Sequence, residues 1–210
     1  DARSYPNSGA GAVIAHSRPL HKGPRSLAGL GFCGLILLSH SFLSELGTFL
    51  QLPDGDIWIF GYGSLMWRPE FPHSDFQPAL LGGYHRALCV YSVRYRGTYD
   101  CPGLVLGLDR GGSCKGRALQ VPRDRADEVF DYLHEREMMH NVYRPKWLPV
   151  KIPSGTVQAY CFVVDRNHQQ YTGKLDDAVA VKLIRQGQGK GGPCLEYMHS
   201  TIQHLDELGI

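Results

Sequence analysis

The chain has 210 residues, with 22 Lys and Arg against 20 Asp and Glu, for a formal net charge of +2. Hydrophobic residues make up 43% and charged residues 20%, the proportions of an ordinary soluble globular protein. So small a charge excess excludes a basic nucleic-acid surface and an acidic interaction tail.

Residues 1–26 mix Ser, Gly, Pro, Arg and His without apolar periodicity and are expected to be disordered. Residues 27–43 follow, with a continuous apolar run over 29–38 that is shorter than the ~20 residues a membrane-spanning helix needs. Lys22 and Arg25 ahead of the run give it the outline of a signal-peptide core, but no small-x-small cleavage site accompanies it and the first Met is Met66. Residues 1–55 are therefore read as a disordered or non-native leader or extension. An extra packed helix and a targeting segment are the alternatives. The turn residues of 52–56 (LPDGD) mark the start of a single domain, 56–210.

Residues 57–60 (IWIF) predict a buried strand running into Gly61-Tyr62-Gly63-Ser64. Residues 79–95 predict a long strand bent at Gly82-Gly83. Two short strands, 103–108 and 116–121, flank Asp109-Arg110-Gly111-Gly112, which reads as a hairpin-like turn. Residues 124–138 predict a helix with Asp124 as N-cap and Asp127 and Glu128 in its first turns. Strands are expected over 147–152 and 156–165, and helices over 175–186 and 195–208. The Gly187–Gly192 stretch (GQGKGG) follows a helix, so it reads as a helix stop and loop, not a phosphate loop. Strands interrupted by one helix and closed by two more imply an α+β fold.

The six cysteines stand at 33, 89, 101, 114, 161 and 194, without CxxC or zinc-finger spacing. They read as free thiols in a reducing compartment. No two of the ten histidines are four apart and no HExxH is present, so neither a metal nor a cofactor is expected.

Two features carry chemistry. At about 100° per residue, Ala126, Val129, Phe130 and Leu133 form one apolar stripe of the 124–138 helix. Glu137 falls about 40° from Leu133, inside that stripe, whereas Glu135 falls about 200° away on the wet face. A carboxylate on a buried stripe is costly unless paired or functional, and burial would raise its pKa toward that of a useful base. The alternative is that the helix frays at Arg136 and Glu137 reaches solvent. The second feature is Gly61-Tyr62-Gly63-Ser64-Leu65, where glycines admit close approach of a ligand and successive N–H groups can cradle an anion. The alternative there is a structural turn. The pattern is neither a P-loop nor a dinucleotide fingerprint, and Ser64 is not in a GxSxG elbow.

Taken together, the separated segments resemble the ChaC-like γ-glutamylcyclotransferases. The run Ile57-Trp58-Ile59-Phe60-Gly61-Tyr62-Gly63-Ser64-Leu65-Met66-Trp67-Arg68-Pro69 is similar to the family's opening. So are Pro102-Gly103-Leu104-Val105-Leu106-Gly107-Leu108, Tyr132-Leu133-His134-Glu135-Arg136-Glu137 and Glu196-Tyr197, in order and at compatible spacing. The resemblance runs from about Asp56 to Ile210. It implies a γ-glutamyl cyclotransferase-like mixed β-barrel with flanking helices. It implies Glu137 as catalytic base, and Gly61, Tyr62, Gly63, Ser64, Leu65, Met66 and Tyr197 as substrate-binding residues, with a place in the core as the alternative for Tyr62 and Tyr197. It also implies a glutathione-directed reaction yielding 5-oxoproline and cysteinylglycine in the cytoplasm, with glutathione as the small-molecule partner and no nucleic acid or membrane.

The stretch Gly83-Tyr84-His85-Arg86-Ala87-Leu88-Cys89-Val90-Tyr91-Ser92 departs from the family's eukaryotic Phe-Trp-Gln-Gly pattern and resembles its bacterial branch. Two alternatives stay open: a cyclotransferase of other γ-glutamyl amines or amino acids, with residues 85–96 setting specificity, and a non-catalytic γ-glutamyl-binding regulator of transport. Arg68, Arg94, Arg96 and Arg136 are each able to meet the glycine carboxylate, or to be structural.

Overall fold

In the computed structural model, Pro53 and residues 55–210 are described, so the reading of 1–55 lies almost wholly outside them. Five strands make a closed barrel: β1 (Ile57–Gly61), β2 (Asp75–Ser92), β3 (Gly103–Val121), β4 (Tyr143–Ile152) and β5 (Gly155–Val164), in the order β1-β3-β2-β4-β5. The ring closes where β1 runs parallel to β5, with Trp58 opposite Ala159 and Ile59 opposite Tyr160. Strand β1 thus has neighbours on both edges, which suits its unbroken apolar run. Ile57, Ile59 and Phe60 are buried in the core.

Strands β2 and β3 correct the expectation of a hairpin turn at residues 109–112. The chain does not reverse there. Tyr84 pairs with Arg110 and Gly82 with Ser113, so Gly111 and Gly112 together face the lone Gly83. All three have positive φ, which only glycine adopts freely. The two long strands bend together at a shared bulge, and the true reversal lies between Ser92 and Gly103. Strand β4 starts four residues earlier than expected because Pro145 and Pro149 disguise it. It pairs along its length with β5 but meets β2 only at Leu80 and Leu81, so prolines are tolerated on its open edge.

Among the described residues, three helices flank the barrel: α1 (Ala126–Glu137), α2 (Asp177–Gln186) and α3 (Cys194–Glu207). Asp124 does not cap α1. The helix is entered through a 3-10 turn, Arg123–Arg125, without a side-chain cap. Ala126, Val129 and Leu133 are buried as the stripe requires. Phe130 meets the Tyr160 ring edge-on at 5.0 Å, and His134 Nε2 lies 2.8 Å from Tyr160 Oη. These contacts fix the rotation of α1, and Glu137 follows Leu133 by one turn on the same side. The Gly187–Gly192 stretch is more ordered than a loop. It holds a two-stranded ribbon, β6 (Gln188–Gly189) and β7 (Gly192–Pro193).

Cys89, Cys101, Cys114, Cys161 and Cys194 are free thiols, while Cys33 lies outside the described residues. No helix among the described residues is long and apolar enough to cross a membrane. No group of three or more His, Cys, Asp or Glu among them is placed to hold a metal ion.

Candidate active site

The loop leaving β1 turns so tightly that side chains have no room at its root. A Cβ on Gly61 would stand 3.1 Å from the Leu65 carbonyl carbon and 3.2 Å from the Met66 nitrogen. The chain then enters a 3-10 turn, Ser64–Met66, closed by Met66 N–H to Gly63 O at 2.9 Å and Arg68 N–H to Ser64 O at 2.8 Å. Among the described residues, the N–H groups of Gly63, Ser64 and Leu65 have no acceptor. Three successive open amides are the makings of an anion cradle.

Two arginines brace the loop from the barrel. Arg86 donates through Nε to Tyr62 O at 2.6 Å and through Nη2 to Lys115 O at 2.6 Å. Arg117 donates to Met66 O at 2.8 Å. Arg86 thus acts as a brace, although it lies in the segment expected to govern specificity. His85 likewise turns to Gly111 O, and the cavity-lining part of that segment starts at Val90.

A cavity of about 550 Å³ opens in front of this loop. Tyr62, Gly63, Ser64, Leu65, Glu137 and Tyr197 all line it. Gly61 and Met66 do not: Gly61 is the tight turn behind the loop, and the Met66 side chain is buried against Arg86. Glu135 is exposed, as its helical angle requires, yet it still reaches the rim.

Glu137 sits at the last position of α1 with its side chain 19% exposed, so the helix does not fray there. Burial raises the pKa of its carboxyl, and the neighbouring Arg136 guanidinium, 3.2 Å from Oε1, offsets only part of that rise. Arg136 is also the clamp of the site. It donates to Ser64 Oγ at 3.0 Å, Arg68 O at 2.8 Å, Pro69 O at 3.1 Å and Tyr132 Oη at 2.9 Å. Glu70 completes the network, accepting from Arg68 at 2.7 Å and from Tyr132 at 3.1 Å.

Two buried tyrosines, Tyr62 and Tyr197, and the half-buried Tyr143 stand near the carboxylate. Burial pushes the pKa of each phenol upward, and the Glu137 charge adds to the effect. Their hydroxyl protons are not equivalent. Tyr62 donates to Phe162 O at 3.0 Å and Tyr143 to Leu106 O at 2.9 Å. Tyr197 instead accepts from Leu106 N–H at 3.3 Å, and among the described residues nothing accepts its own proton. That hydroxyl would stand 3.5 Å from a Cβ on Gly63, beside the open amides. Trp67, packed between Tyr197 and a stacked His204 at 5.0 Å, docks α3 onto the loop and holds Tyr197 in place.

Tyr143 and the brace of Arg86 and Arg117 were not foreseen from sequence. Tyr143 opens the strand that prolines disguise, and the arginines act through backbone carbonyls, which leave no sequence signal. The arrangement as a whole offers an anion cradle, a free phenol donor and a carboxylate biased toward holding a proton.

Comparison with known proteins places the chain in a family. The family model of the ChaC-like proteins matches residues 57–210. A glutathione-specific gamma-glutamylcyclotransferase of Escherichia coli K12 is 36% identical over 169 residues, covering 80% of this chain and 73% of that protein. Its counterpart in Schizosaccharomyces pombe is 32% identical over 179 residues, covering 74% and 86%. A glutathione-specific gamma-glutamylcyclotransferase 1 of Mus musculus is 34% identical over 153 residues, covering 69% of each. Among solved structures, a glutathione-specific γ-glutamyl cyclotransferase from yeast shares the fold, with a TM-score of 0.69 at 21% identity over 75% of this chain and 90% of that one. The barrel with flanking helices is therefore the one the resemblance implied, and a match over nearly the whole described region makes this chain a member of the ChaC-like family.

Proposed function

We propose that the protein is a glutathione-specific γ-glutamylcyclotransferase working from the cytoplasm, with its catalytic domain in residues 56–210. The observation that carries this reading is the partly buried Glu137 carboxyl in a cavity it shares with the open amides of Gly63, Ser64 and Leu65. Mere binding does not require a base held in a buried site, which argues against a non-catalytic binder. The names of the bacterial, fission-yeast and mouse relatives support glutathione as substrate. Free thiols at five described cysteines suit a reducing compartment.

The reaction needs no protein nucleophile. The substrate's α-amine attacks its own γ-carbonyl carbon, the new N–C bond closes a five-membered ring, and the old amide C–N bond breaks. Glu137 takes a proton from the ammonium, because only the neutral amine attacks, and passes it to the departing nitrogen; the ring nitrogen sheds a second proton as the old C–N bond breaks, so the leaving amine departs as its ammonium. The products are 5-oxoproline and cysteinylglycine, and no water is consumed. Holding the folded-back conformer supplies orientation worth up to roughly 7–11 kcal/mol. In this reading the amides of 63–65 bind the α-carboxylate, and the Tyr197 hydroxyl donates to the oxygen that gains charge as the ring closes.

The test is to incubate the full chain with glutathione, beside Glu137→Gln, and quantify both products by mass spectrometry. Equal amounts of the two from the unsubstituted protein alone support the reading. Turnover of other γ-glutamyl amines without turnover of glutathione removes the substrate assignment. No turnover of any γ-glutamyl compound by folded protein removes the enzyme assignment.

A further inference from the structure

Among the described residues, five Arg and Lys side chains line the cavity, and three of them are already engaged. Arg68 is held by Glu70, and Arg136 by the loop and Glu137. Arg96 donates to Pro193 O at 3.0 Å, faces Glu196 at 3.8 Å and lies over the Tyr197 ring. Arg94 and Lys190 differ. Both are exposed on the cavity wall, and among the described residues neither side chain has a hydrogen-bond or ion-pair partner.

These two cations are far apart in sequence but joined through their backbones. Lys190 N–H donates to Arg94 O at 2.8 Å, and Gly191 N–H donates to Tyr95 O at 2.8 Å. The turn carrying Arg94 is closed by Arg96 N–H donating to the buried Ser92 Oγ at 2.9 Å. The segment carrying Lys190 is the tip of the β6–β7 ribbon, where Gly189 pairs with Gly192. Gly189 packs so closely on Arg94 O and Gly97 N that a side chain there would collide with both. Two cationic residues are thus tied backbone to backbone on an ordered platform, and an anion near both would ease the repulsion between their charges. Arginine adds a planar fork suited to a carboxylate.

We propose that Arg94 and Lys190 together bind the carboxylate at the peptide end of the substrate, the glycine carboxylate of glutathione. They thereby select a γ-glutamyl peptide over a γ-glutamyl amine lacking that charge. The proposal rests on the cyclotransferase reading and deepens it. The substrate's two carboxylates would have separate seats, one at the amides of 63–65 and one on the ribbon platform.

The test compares glutathione with its glycine ethyl ester, which keeps the γ-glutamyl group and loses only the second negative charge. 5-Oxoproline release gives kcat/KM for each. The unsubstituted full chain is expected to prefer glutathione by about tenfold or more, the scale of charge-assisted hydrogen bonds. In the double variant Arg94→Ala, Lys190→Ala the efficiency toward glutathione should fall to that toward the ester, chiefly through KM. Arg94→Lys should retain part of the preference. A melting curve accompanies each variant, and Arg94→Gln substitutes if the alanine form melts early. An active double variant that keeps the full preference overturns the carboxylate assignment and leaves the cyclotransferase reading standing. No 5-oxoproline from either compound with the unsubstituted chain overturns both.

Discussion

Arg136 Nη2 donates to Ser64 Oγ at 3.0 Å while its Nε lies 3.2 Å from Glu137 Oε1. One guanidinium therefore spans the two halves of the site, the glycine loop after β1 and the end of α1. It sets the position of the carboxylate and also its charge, because the same cation limits how far burial raises the pKa.

Removing that bridge should cost stability and rate together. Arg136→Ala leaves the Arg68 and Pro69 carbonyls without their donor, so a loss of about 1–3 kcal/mol is expected by chemical denaturation. Turnover should fall at least about tenfold, since the loop and the base lose their common tether. Ser64→Ala removes one contact and should cost only about 1 kcal/mol. Equal effects from the two substitutions would mean that the carbonyl contacts contribute nothing.

Glu137→Gln should abolish most turnover, by roughly 10²–10⁴-fold, and also stabilise the protein at neutral pH. The folded-state pKa lies above its ordinary value, so between the two values the folded form binds more protons than the unfolded form. Stability of the unsubstituted protein therefore falls as pH rises through that window, and the deficit is complete above the raised pKa. Glutamine has no charge to desolvate. Its melting temperature should exceed that of the unsubstituted protein at pH 7, and the gap should close as pH falls below the ordinary carboxylate value. A gap that widens on acidification would show that Glu137 is stabilised as the anion.

The same raised pKa predicts the acid limb of kcat/KM. The base works only when ionised, so activity should be lost on acidification at a pH above the usual carboxylate range. Arg136→Lys keeps a cation near Glu137 and should move the limb little. Arg136→Gln removes the cation and should move it upward, on whatever activity remains. A limb that moves downward in Arg136→Gln would contradict the electrostatic account.

Tyr197→Phe and Tyr62→Phe separate two kinds of hydroxyl. Both lose one hydrogen bond, with a stability cost of about 1 kcal/mol, more for Tyr197→Phe because Leu106 N–H loses its acceptor. Only Tyr197 has a proton to give the reaction, so kcat/KM should fall at least about tenfold in Tyr197→Phe and much less in Tyr62→Phe. Steady-state kinetics on the two purified variants decide the matter, and the reverse order would move the donor role to Tyr62.

The thiols should be chemically unequal. Burial pushes Cys89 up to about 12 and raises Cys114, Cys161 and Cys194 as well. Thiolates are the reactive form, so these four should resist alkylation at pH 7.5 in the folded protein. The less buried Cys101 should react ahead of them. Peptide mapping after a brief pulse of iodoacetamide is the readout, and rapid labelling of Cys89 would contradict it.

Where a single helical period decides a residue's surroundings, sequence narrows the choice to whether the helix persists. The stripe of Ala126, Val129 and Leu133 put Glu137 on the inner side with fraying as the alternative, and the helix holding through Glu137 removes that alternative. Strand geometry was harder to read. Asp109-Arg110-Gly111-Gly112 has the composition of a reversal, and only the opposing Gly83 makes it a bulge, a fact that belongs to the pairing of two strands. Pro145 and Pro149 hid the start of β4, since their tolerance depends on which edge of the strand is unpaired. Tyr143 was lost with that start. The roles of Arg86, Arg117 and Arg136 were unreadable for another reason: each meets backbone carbonyls, which every residue carries.

The parallel seam between β1 and β5 joins the first and last strands of the barrel, and Tyr62 Oη reaches Phe162 O across 100 residues of chain. A chain emerging from the ribosome therefore makes its binding loop early, carries its base midway and pairs β1 with β3, yet leaves the other edge of β1 open until β5 is released. Contacts this distant in sequence close late and slowly. A nascent or truncated chain ending before β5 would contain Glu137 and the glycine loop without the ring that sets them face to face. Catalytic competence should consequently appear only after the last strand has sealed the ring and α3, which follows it in the chain, has brought Tyr197 to the loop.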